Sequence, residues 1–395
     1  MKKQKDEFNS RIAFRLMLNI SLALFLLVSL KFFVQAQSGR IRNPQDGKQN
    51  QSTQNQDDQD TLKLRTDEVL LPVSVRSSNG KVPTYLEKQD FIVTEDGKRQ
   101  PITSVLRSPA NVLFIIDMSG DVNFRKDNNV NREIALSMLD ALGKEDQAAV
   151  ISYADKIDLL ASWTTDKAAV SYALKTKLKP GIKAEYYKCL TYAANEVLPK
   201  VTGRRTVVLL SDGVDSFDGS GFANALAALH RARATVYVVN QNTIIIKELR
   251  ERVFHKLAWY EMLDPKVRKR YEIMRNYVRQ LEAAEFIFKN LTEETGGLIW
   301  DSAKRIEYKK SDKPKPPGYI EADDRPVLAS MLAGKVIEEM GTEFLVAYSS
   351  DRKSNDKDFH PVKVFVTRAE ITVRARRGVY ANVDKESEAK RQKVK

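Results

Sequence analysis

Asn111-Val-Leu-Phe-Ile-Ile-Asp117-Met-Ser119-Gly-Asp121 is the stretch that decides the fold: five apolar residues end abruptly in a carboxylate, a hydroxyl and a second carboxylate at alternate positions. An unbroken apolar run of that length bounded by a turn predicts a strand covered on both faces. In open α/β sheets the space beyond the carboxyl ends of such strands holds the ligand. Oxygen atoms gathered there suit a hard divalent cation.

Outward from this strand, residues 110–335 alternate strands with helical patterns. Strands are predicted at Val112–Ile116, Ala148–Tyr153, Ile157–Ala161, Thr206–Leu210, Thr235–Val239 and Leu298–Trp300. Helical periodicity fills Val130–Leu142, Asp166–Leu178, Tyr187–Leu198, Phe222–Arg233 and Arg325–Met340. Strands separated by helices require right-handed crossovers and a mostly parallel, doubly wound, Rossmann-like sheet with helices on both faces. A second strand end, Leu209-Leu-Ser211-Asp212-Gly213, brings another carboxylate to the same rim.

The flanks have period two instead. Val69–Val75, Phe91–Thr94, Glu343–Ser349, His360–Thr367 and Ile371–Arg374 read as short antiparallel strands, with Ser77-Ser-Asn79-Gly80 as a hairpin turn and Glu95-Asp96-Gly97 closing another strand. A few short strands bury too little to stand alone. Residues 62–107 and 342–381 are therefore expected to form one small discontinuous β-sandwich, into which the α/β domain is inserted.

The ends of the chain carry other signals. Lys2, Lys3, Lys5, Arg11 and Arg15 precede an apolar segment, Leu16–Leu30, and Val34-Gln-Ala36 offers a cleavage site; residues 1–36 read as a signal peptide or as an uncleaved signal anchor. Residues 37–61, mostly Gln, Asn, Asp and Ser, read as a disordered linker. Residues 382–395 form a basic tail. The expected location is secreted or periplasmic, or anchored by the N-terminal segment.

Lys plus Arg number 65 against 52 Asp plus Glu, a net of +13, so anionic partners are favoured in general. Export argues against nucleic acid. Cys189 has no second cysteine to pair with and, beside Leu190 and Ala193, reads as a buried thiol.

Enzyme chemistry finds no footing. The loop after Asp117 has Gly120 but no Gly-x-Gly-x-x-Gly, and no phosphate-binding Gly-Lys-Ser/Thr is present. Met118 and Ser119 stand where an aspartate-based phosphatase needs its second Asp. His230, His255 and His360 are scattered, so neither a hydrolytic base nor a zinc motif assembles. No catalytic residue is expected.

Several ordered motifs then agree: Val69-Leu-Leu-Pro-Val-Ser-Val75, the run Leu86–Thr103, Phe114-Ile-Ile-Asp-Met-Ser-Gly120, Leu209-Leu-Ser-Asp-Gly213, Glu294-Thr-Gly-Gly297 and Val373–Tyr380. Together they resemble secreted VWFA-related (von Willebrand factor type A) proteins of the acidobacterial type. The resemblance implies a domain that recognises other proteins, sometimes through magnesium or a related ion such as manganese or calcium. It implies that Asp117, Ser119, Asp121 and Asp212 form a metal-ion-dependent adhesion site. Two positions depart from the family. Asp121 stands where a second Ser is expected, and Ala184 stands where a later loop should supply a Thr ligand. Asp121 still donates oxygen, but two carboxylates about 4 Å apart repel by roughly 1–4 kcal/mol without an ion. Lys183 could take the cation's place as a charge substitute.

Residues 242–291 form a helical insertion before the family pattern resumes, with Arg250, Arg268, Arg275 and Arg279 among Tyr271, Tyr277, Phe286 and Phe288. It reads either as a docking arm for an acidic partner or anionic envelope surface, or as a helical hairpin whose aromatics pack on each other. The functional expectation is a secreted or envelope-tethered, adhesion-type protein-binding module with a degenerate ion site. The alternative is an ion-independent structural or assembly factor that uses the basic insertion as its contact surface.

Overall fold

The computed structural model describes residues 68–380 except 79, 81, 84, 121–128, 217–220, 241, 244, 247–248, 251–262, 302–324, 353–355 and 357. The N-terminal signal and linker, Asp121, His255, part of the insertion and the basic tail lie outside the described residues. Among the described residues no helix is long and apolar enough to cross a membrane.

A six-stranded sheet carries the centre. It contains β5 (Ala110–Asp117), β6 (Gln147–Tyr153), β7 (Ile157–Thr164), β8 (Arg204–Leu210), β9 (Ala234–Asn240) and β10 (Ile299–Asp301), in the order β10-β9-β8-β5-β6-β7. All neighbours are parallel except β7, which folds back antiparallel on β6 at the edge. The strand β5 lies in the middle, buried along its whole length, as its unbroken apolar run requires.

Alternation along the strands sorts the helices. The even residues Val112, Phe114 and Ile116 of β5 pack with α1 (Asn129–Ala141), α2 (Lys167–Thr176) and α6 (Arg325–Met340). The odd residues Leu113 and Ile115 pack with α3 (Tyr186–Tyr192), which continues through Val197, with α4 (Phe222–Arg231) and with the last turns of α5 (Pro265–Thr295). Each fully buried Ile or Leu here contributes about 1.5–3 kcal/mol. Cys189 is buried on the second face, and burial pushes its thiol up, so it packs as an apolar group. His230 is buried near the end of α4.

The flanking segments make two four-stranded antiparallel sheets. One has the order β13-β1-β11-β4, from β1 (Glu68–Ser77), β4 (Ile102–Leu106), β11 (Glu343–Ser349) and β13 (Ile371–Ala375); the other is β14-β12-β2-β3, from β2 (Phe91–Glu95), β3 (Lys98–Gln100), β12 (Phe359–Val366) and β14 (Gly378–Tyr380). N-terminal β1 pairs with C-terminal β11 and β13, and β2 with β12. Leu71, Val73, Phe91, Val93, Val346 and Tyr348 share the core between the sheets.

Two expectations need correction. Gly80 does adopt positive φ (79°) after Ser77, but β1 makes no hairpin there: its neighbours are β11 and β13, and the chain crosses to the other sheet. The true short hairpin is β2–β3, where Asp96 (φ 52°) and Gly97 (φ 78°) make the turn. Nor does the insertion end at residue 291 as a separate element. It runs into α5, one continuous helix of 31 residues that starts on Asp264, whose side chain caps Lys266 N at 2.8 Å, and stops at Gly296 with φ 80°.

Arginines from the sandwich strands tie it to the α/β layers. Arg76 Nε donates to Glu339 Oε2 at 2.7 Å and Arg374 Nη2 to Glu339 Oε1 at 2.5 Å. Glu343 accepts from Tyr237 OH at 2.7 Å, and the Arg204 guanidinium stands 3.6 Å away. Burial raises the Glu343 carboxyl above its usual range despite Arg204. Because Glu339 is buried between two guanidiniums, Glu339→Ala is expected to cost about 2–3 kcal/mol in urea denaturation, somewhat below the roughly 3–5 kcal/mol for breaking a fully buried pair since both arginines are partly exposed. The exposed partner Glu338 is the control, and Glu338→Ala should change stability by less than about 1 kcal/mol.

On the sandwich surface the His360 ring lies 2.6 Å from Asp96 Oδ2 and 3.1 Å from Asp356 Oδ2, with Arg352 and Glu95 adjoining. Burial pulls its pKa down, but the hydrogen bonds to Asp96 and Asp356 outweigh it, so the folded value is raised. The stabilisation is complete below the unfolded value of about 6.5 and is lost as pH climbs through the higher folded value. Melting temperature should fall across that interval in the parent, and the slope should flatten in His360→Gln. An identical slope in both proteins would contradict the assignment.

Candidate functional site

Register fixes the site. Asp117 of β5 is level with Tyr153 of β6, while Ile116 is level with Leu210 of β8, so Ser211 follows at the next step. Asp117, Tyr153 and Ser211 continue the odd-numbered face of their strands, and period two turns all three side chains to the same side. The Asp117 carboxylate is fully buried there. Its Oδ1 accepts from Ser119 N at 2.9 Å and Ser119 Oγ at 2.6 Å. Its Oδ2 accepts from Tyr153 OH at 2.9 Å and Ser211 Oγ at 3.1 Å.

Four donors on one carboxylate use its acceptor capacity of about four lone-pair sites. Burial first, and then the charge of Asp117, push the Tyr153 phenol far above its ordinary range, so it stays protonated as a donor. The Tyr153 and Ser211 hydroxyls are themselves 2.6 Å apart, and Ser211 Oγ accepts from Gly213 N at 2.8 Å.

The next residue, Asp212, faces a cavity of about 380 Å³ together with Ser119, Gly120, Ala184, Val214, Asp215 and residues of α5. Asp212 Oδ1 accepts from Val214 N at 3.0 Å and Oδ2 from Tyr277 OH at 2.7 Å. Opposite it, the 181–187 loop is laced to the 212–216 loop. Ala184 N donates to Ser216 Oγ at 2.7 Å, and Tyr187 N to Asp215 Oδ2 at 3.0 Å. Aromatic rings cluster there, with Tyr186 tilted against Tyr187 at 5.0 Å and edge-on to Phe288 at 6.5 Å between ring centres.

Of the residues expected to form the site, Asp117, Ser119 and Asp212 come from neighbouring strand ends, and Ser119 and Asp212 line one cavity. Asp121 lies outside the described residues. Lys183 is not among the residues lining the cavity: its backbone N donates to Asp155 Oδ1 at 2.8 Å, and with the Ile182 amide this holds the Asp155 carboxyl below its usual range. The sequence reading missed Tyr153, Ser211 and Tyr277. Tyr153 ends a predicted strand and Ser211 follows one, but only the cross-strand register places their hydroxyls on Asp117. Tyr277 was not legible, because nothing local shows that the insertion lies across the rim.

The insertion packs its apolar and aromatic side chains on each other with its described basic residues exposed, as the hairpin reading expects, and it adds a contact to the rim. Met274, Val278 and Leu281 of α5 pack against Ile246, Leu249 and Val214, with Tyr277 beside them, and the Tyr277 hydroxyl reaches the rim carboxylate Asp212.

The described donors do not fit a divalent cation at the rim. A magnesium ion asks for near-octahedral oxygen at 2.0–2.1 Å. Ala184, which lines the cavity, has no side-chain ligand atom, Asp117 accepts four hydrogen bonds from protein donors, and Asp212 accepts from the Tyr277 phenol. Among the described residues the one group with three ligand atoms within 4.8 Å is Glu95, Asp96 and His360 on the sandwich. There Tyr348 and Arg352 engage Glu95 and two carboxylates flank the imidazole.

Because Tyr153 donates to a buried carboxylate, Tyr153→Phe should cost about 1.5–3 kcal/mol of unfolding free energy, the range for hydrogen bonds to charged groups. A loss below about 0.5 kcal/mol would mean that Asp117 does not depend on it.

Residues 112–214 match the family described as von Willebrand factor type A domain. No curated protein matches the sequence. Among solved structures, a von Willebrand factor type A protein from Catenulispora acidiphila is 11% identical, with a TM-score of 0.39 over 83% of this chain and 76% of that one. Proximal thread matrix protein 1 from the mussel byssus is 22% identical, with a TM-score of 0.30 over 34% of this chain. The von Willebrand factor domain of the type V pili tip protein Mfa5 from Porphyromonas gingivalis is 21% identical, with a TM-score of 0.24 over 29% of this chain. The chain spans 36% of the mussel protein and 40% of the Mfa5 domain. The mostly parallel sheet with helices on both faces, together with the match centred on β5 to β8, shows that this chain contains a von Willebrand factor type A domain.

Proposed function

We propose that the protein is an adhesion-type binding module of the secreted, VWFA-related kind, exported or tethered at the cell envelope by its N-terminal segment, that recognises another protein at the rim cavity. It acts by binding, with no catalytic step. Its ion site is degenerate, so recognition proceeds without magnesium, manganese or calcium. The observation that carries this reading is the cavity of about 380 Å³ at the carboxyl ends of β5 and β8, walled on its other side by α5. That volume is at the low end of the roughly 300–1,000 Å³ of ligand pockets and suits one or two inserted side chains.

A second reading keeps the basic insertion as the contact surface of an assembly factor. It is favoured by the exposed Lys266, Arg268, Lys269, Arg270, Arg275 and Arg279 on the first half of α5, where Glu272 is the one acid among them.

Selection of a random peptide library displayed on phage against the whole protein tests both. Enrichment should survive chelator and fall at least tenfold when the exposed Gln280 at the cavity wall is replaced in Gln280→Trp. Enrichment abolished by chelator would overturn the ion-free site. Enrichment indifferent to Gln280→Trp but lost when Arg268, Arg275 and Arg279 are changed to Glu would favour the assembly reading.

A further inference from the structure

Among the described residues, none of the side chains of Lys266, Arg268, Lys269, Arg270, Arg275 and Arg279 on α5 is paired with a carboxylate. Acids further along the helix are already engaged, Glu282 by Arg250, and Glu293 and Glu294 by Arg377. The excess belongs to the stretch as a whole, since residues 250–280 hold nine Lys or Arg against four Asp or Glu. Cations that the fold leaves unpaired repel one another and favour an anionic partner.

Their placement around the helix is not uniform. At about 100° per residue, Arg268, Arg275 and Arg279 fall within roughly 40° of one another, and Phe286 lies on the same line. This line runs for about 27 Å along the side opposite the buried Val278, Leu281 and Phe288. All four of its residues are exposed, Phe286 by 66%. Ile273 and Gln280, which line the rim cavity, sit roughly a third of a turn away. The helix therefore has one side in the core, one on the cavity and a third, its crest, turned outward. Beside these arginines the crest holds one carboxylate, Glu272.

A convex crest offers no pocket for a partner's side chain, so its guest must conform to it. Guanidinium forks match phosphate oxygens in pairs. An aromatic ring is well placed at the level of lipid headgroups, where its apolar body leaves water. A soluble polyanion would satisfy the arginines and leave Phe286 in water; the surface of a bilayer satisfies both. Clusters of roughly four to eight Lys or Arg on one helix are the density that holds a protein to an anionic leaflet.

We propose that the crest of α5 rests on an anionic lipid bilayer, with Arg268, Arg275 and Arg279 donating to headgroup phosphates and Phe286 entering the headgroup layer. The inference rests on the second reading above, in which the basic half of α5 is the contact surface, and names what that surface touches. Because the cavity side of the helix points elsewhere, the rim stays open while the crest is occupied.

The test places a polarity-sensitive fluorophore on the full chain through Ala283→Cys, an exposed position near Phe286, while Cys189 is buried and does not compete for label. The label reports on α5 itself, so membrane partition of residues 1–36 alone does not produce its signal. Its emission should shift to the blue on vesicles of phosphatidylglycerol with phosphatidylcholine, and not on phosphatidylcholine alone or with soluble glycerol phosphate. The shift should vanish at about 1 M salt, where the screening length is about 3 Å. Arg275→Glu with Arg279→Glu should raise the half-saturating lipid concentration at least about tenfold, and Phe286→Ser about threefold. No shift on anionic vesicles, an equal shift on both kinds, a shift with glycerol phosphate, or one that survives the arginine changes would overturn this inference. If phage enrichment is then still lost on changing Arg268, Arg275 and Arg279 to Glu, the contact-surface reading stands with a protein as its partner. Loss of neither would overturn both.

Discussion

The buried Asp117 carboxylate is the constraint around which the rim is arranged. A charge at the end of a strand covered on both faces is stable only if its lone pairs are filled. The fold fills them from three places at once: the loop immediately after β5, the end of β6 and the first residue after β8. That requirement fixes the relative height of three neighbouring strands and the conformation of the turn at Ser119. Asp212, one residue beyond Ser211, is thereby set facing the cavity. The Asp117 carboxylate is thus engaged in holding the scaffold, and Ala184 contributes a buried methyl group to the cavity lining nearby.

The second organising feature is the use of arginine across the seam between the sandwich and the α/β layers. Arg376 is fully buried and donates to the carbonyls of His230 at 3.2 Å and Ala234 at 3.0 Å, which lie at the end of α4 and the start of β9. Burial, assisted by Arg233, lowers its pKa to about 9. Arg76 and Arg374 converge on Glu339, and Arg377 reaches Glu293 and Glu294 at the end of α5. Long planar donors with several N–H groups bridge the uneven gap between a sheet and helix ends better than a short apolar contact would. The sandwich is therefore coupled to α6 and α5 rather than hung beside them, and α5 also walls the cavity.

Much of the fold was legible in the sequence because the two periodicities are unambiguous. The run Val112–Ile116, bounded by turn residues, pointed to a doubly covered strand, and Val69–Val75 and Glu343–Ser349 were legible as strands, although both are more fully buried than a one-sided pattern implies. The pairing of the two flanks followed from the deficit each would have alone. The Ser77–Gly80 turn misled because positive φ at a glycine specifies a turn but not which strand comes next. At the site, Asp117, Ser119 and Asp212 were visible as polar residues ending apolar runs. Tyr153 and Ser211 were obscured because a tyrosine or serine at a strand end is ordinary, and only the cross-strand register shows that their hydroxyls meet. Tyr277 depends on a contact 65 residues distant in sequence, and no local pattern encodes that.

That distant contact has its own physical basis in one glycine. Gly213 has φ 72°, and a β-carbon there would lie 2.6 Å from the Phe288 ring and 3.1 Å from Ala284. The glycine thus serves two needs: it turns the chain sharply after Asp212, and it lets α5 lie directly on the strand end. Phe288 and Leu291 fix the C-terminal half of the helix in the α/β core, while Met274, Val278 and Leu281 carry the same apolar stripe onward over the rim. A helix seated that closely cannot tilt without disturbing the core. Tyr277, eleven residues before Phe288 and so three turns along the same side, is delivered to Asp212 by the axis of the helix, not by any loop. The α5 wall of the cavity is therefore anchored in the core beneath it through Phe288 and Leu291.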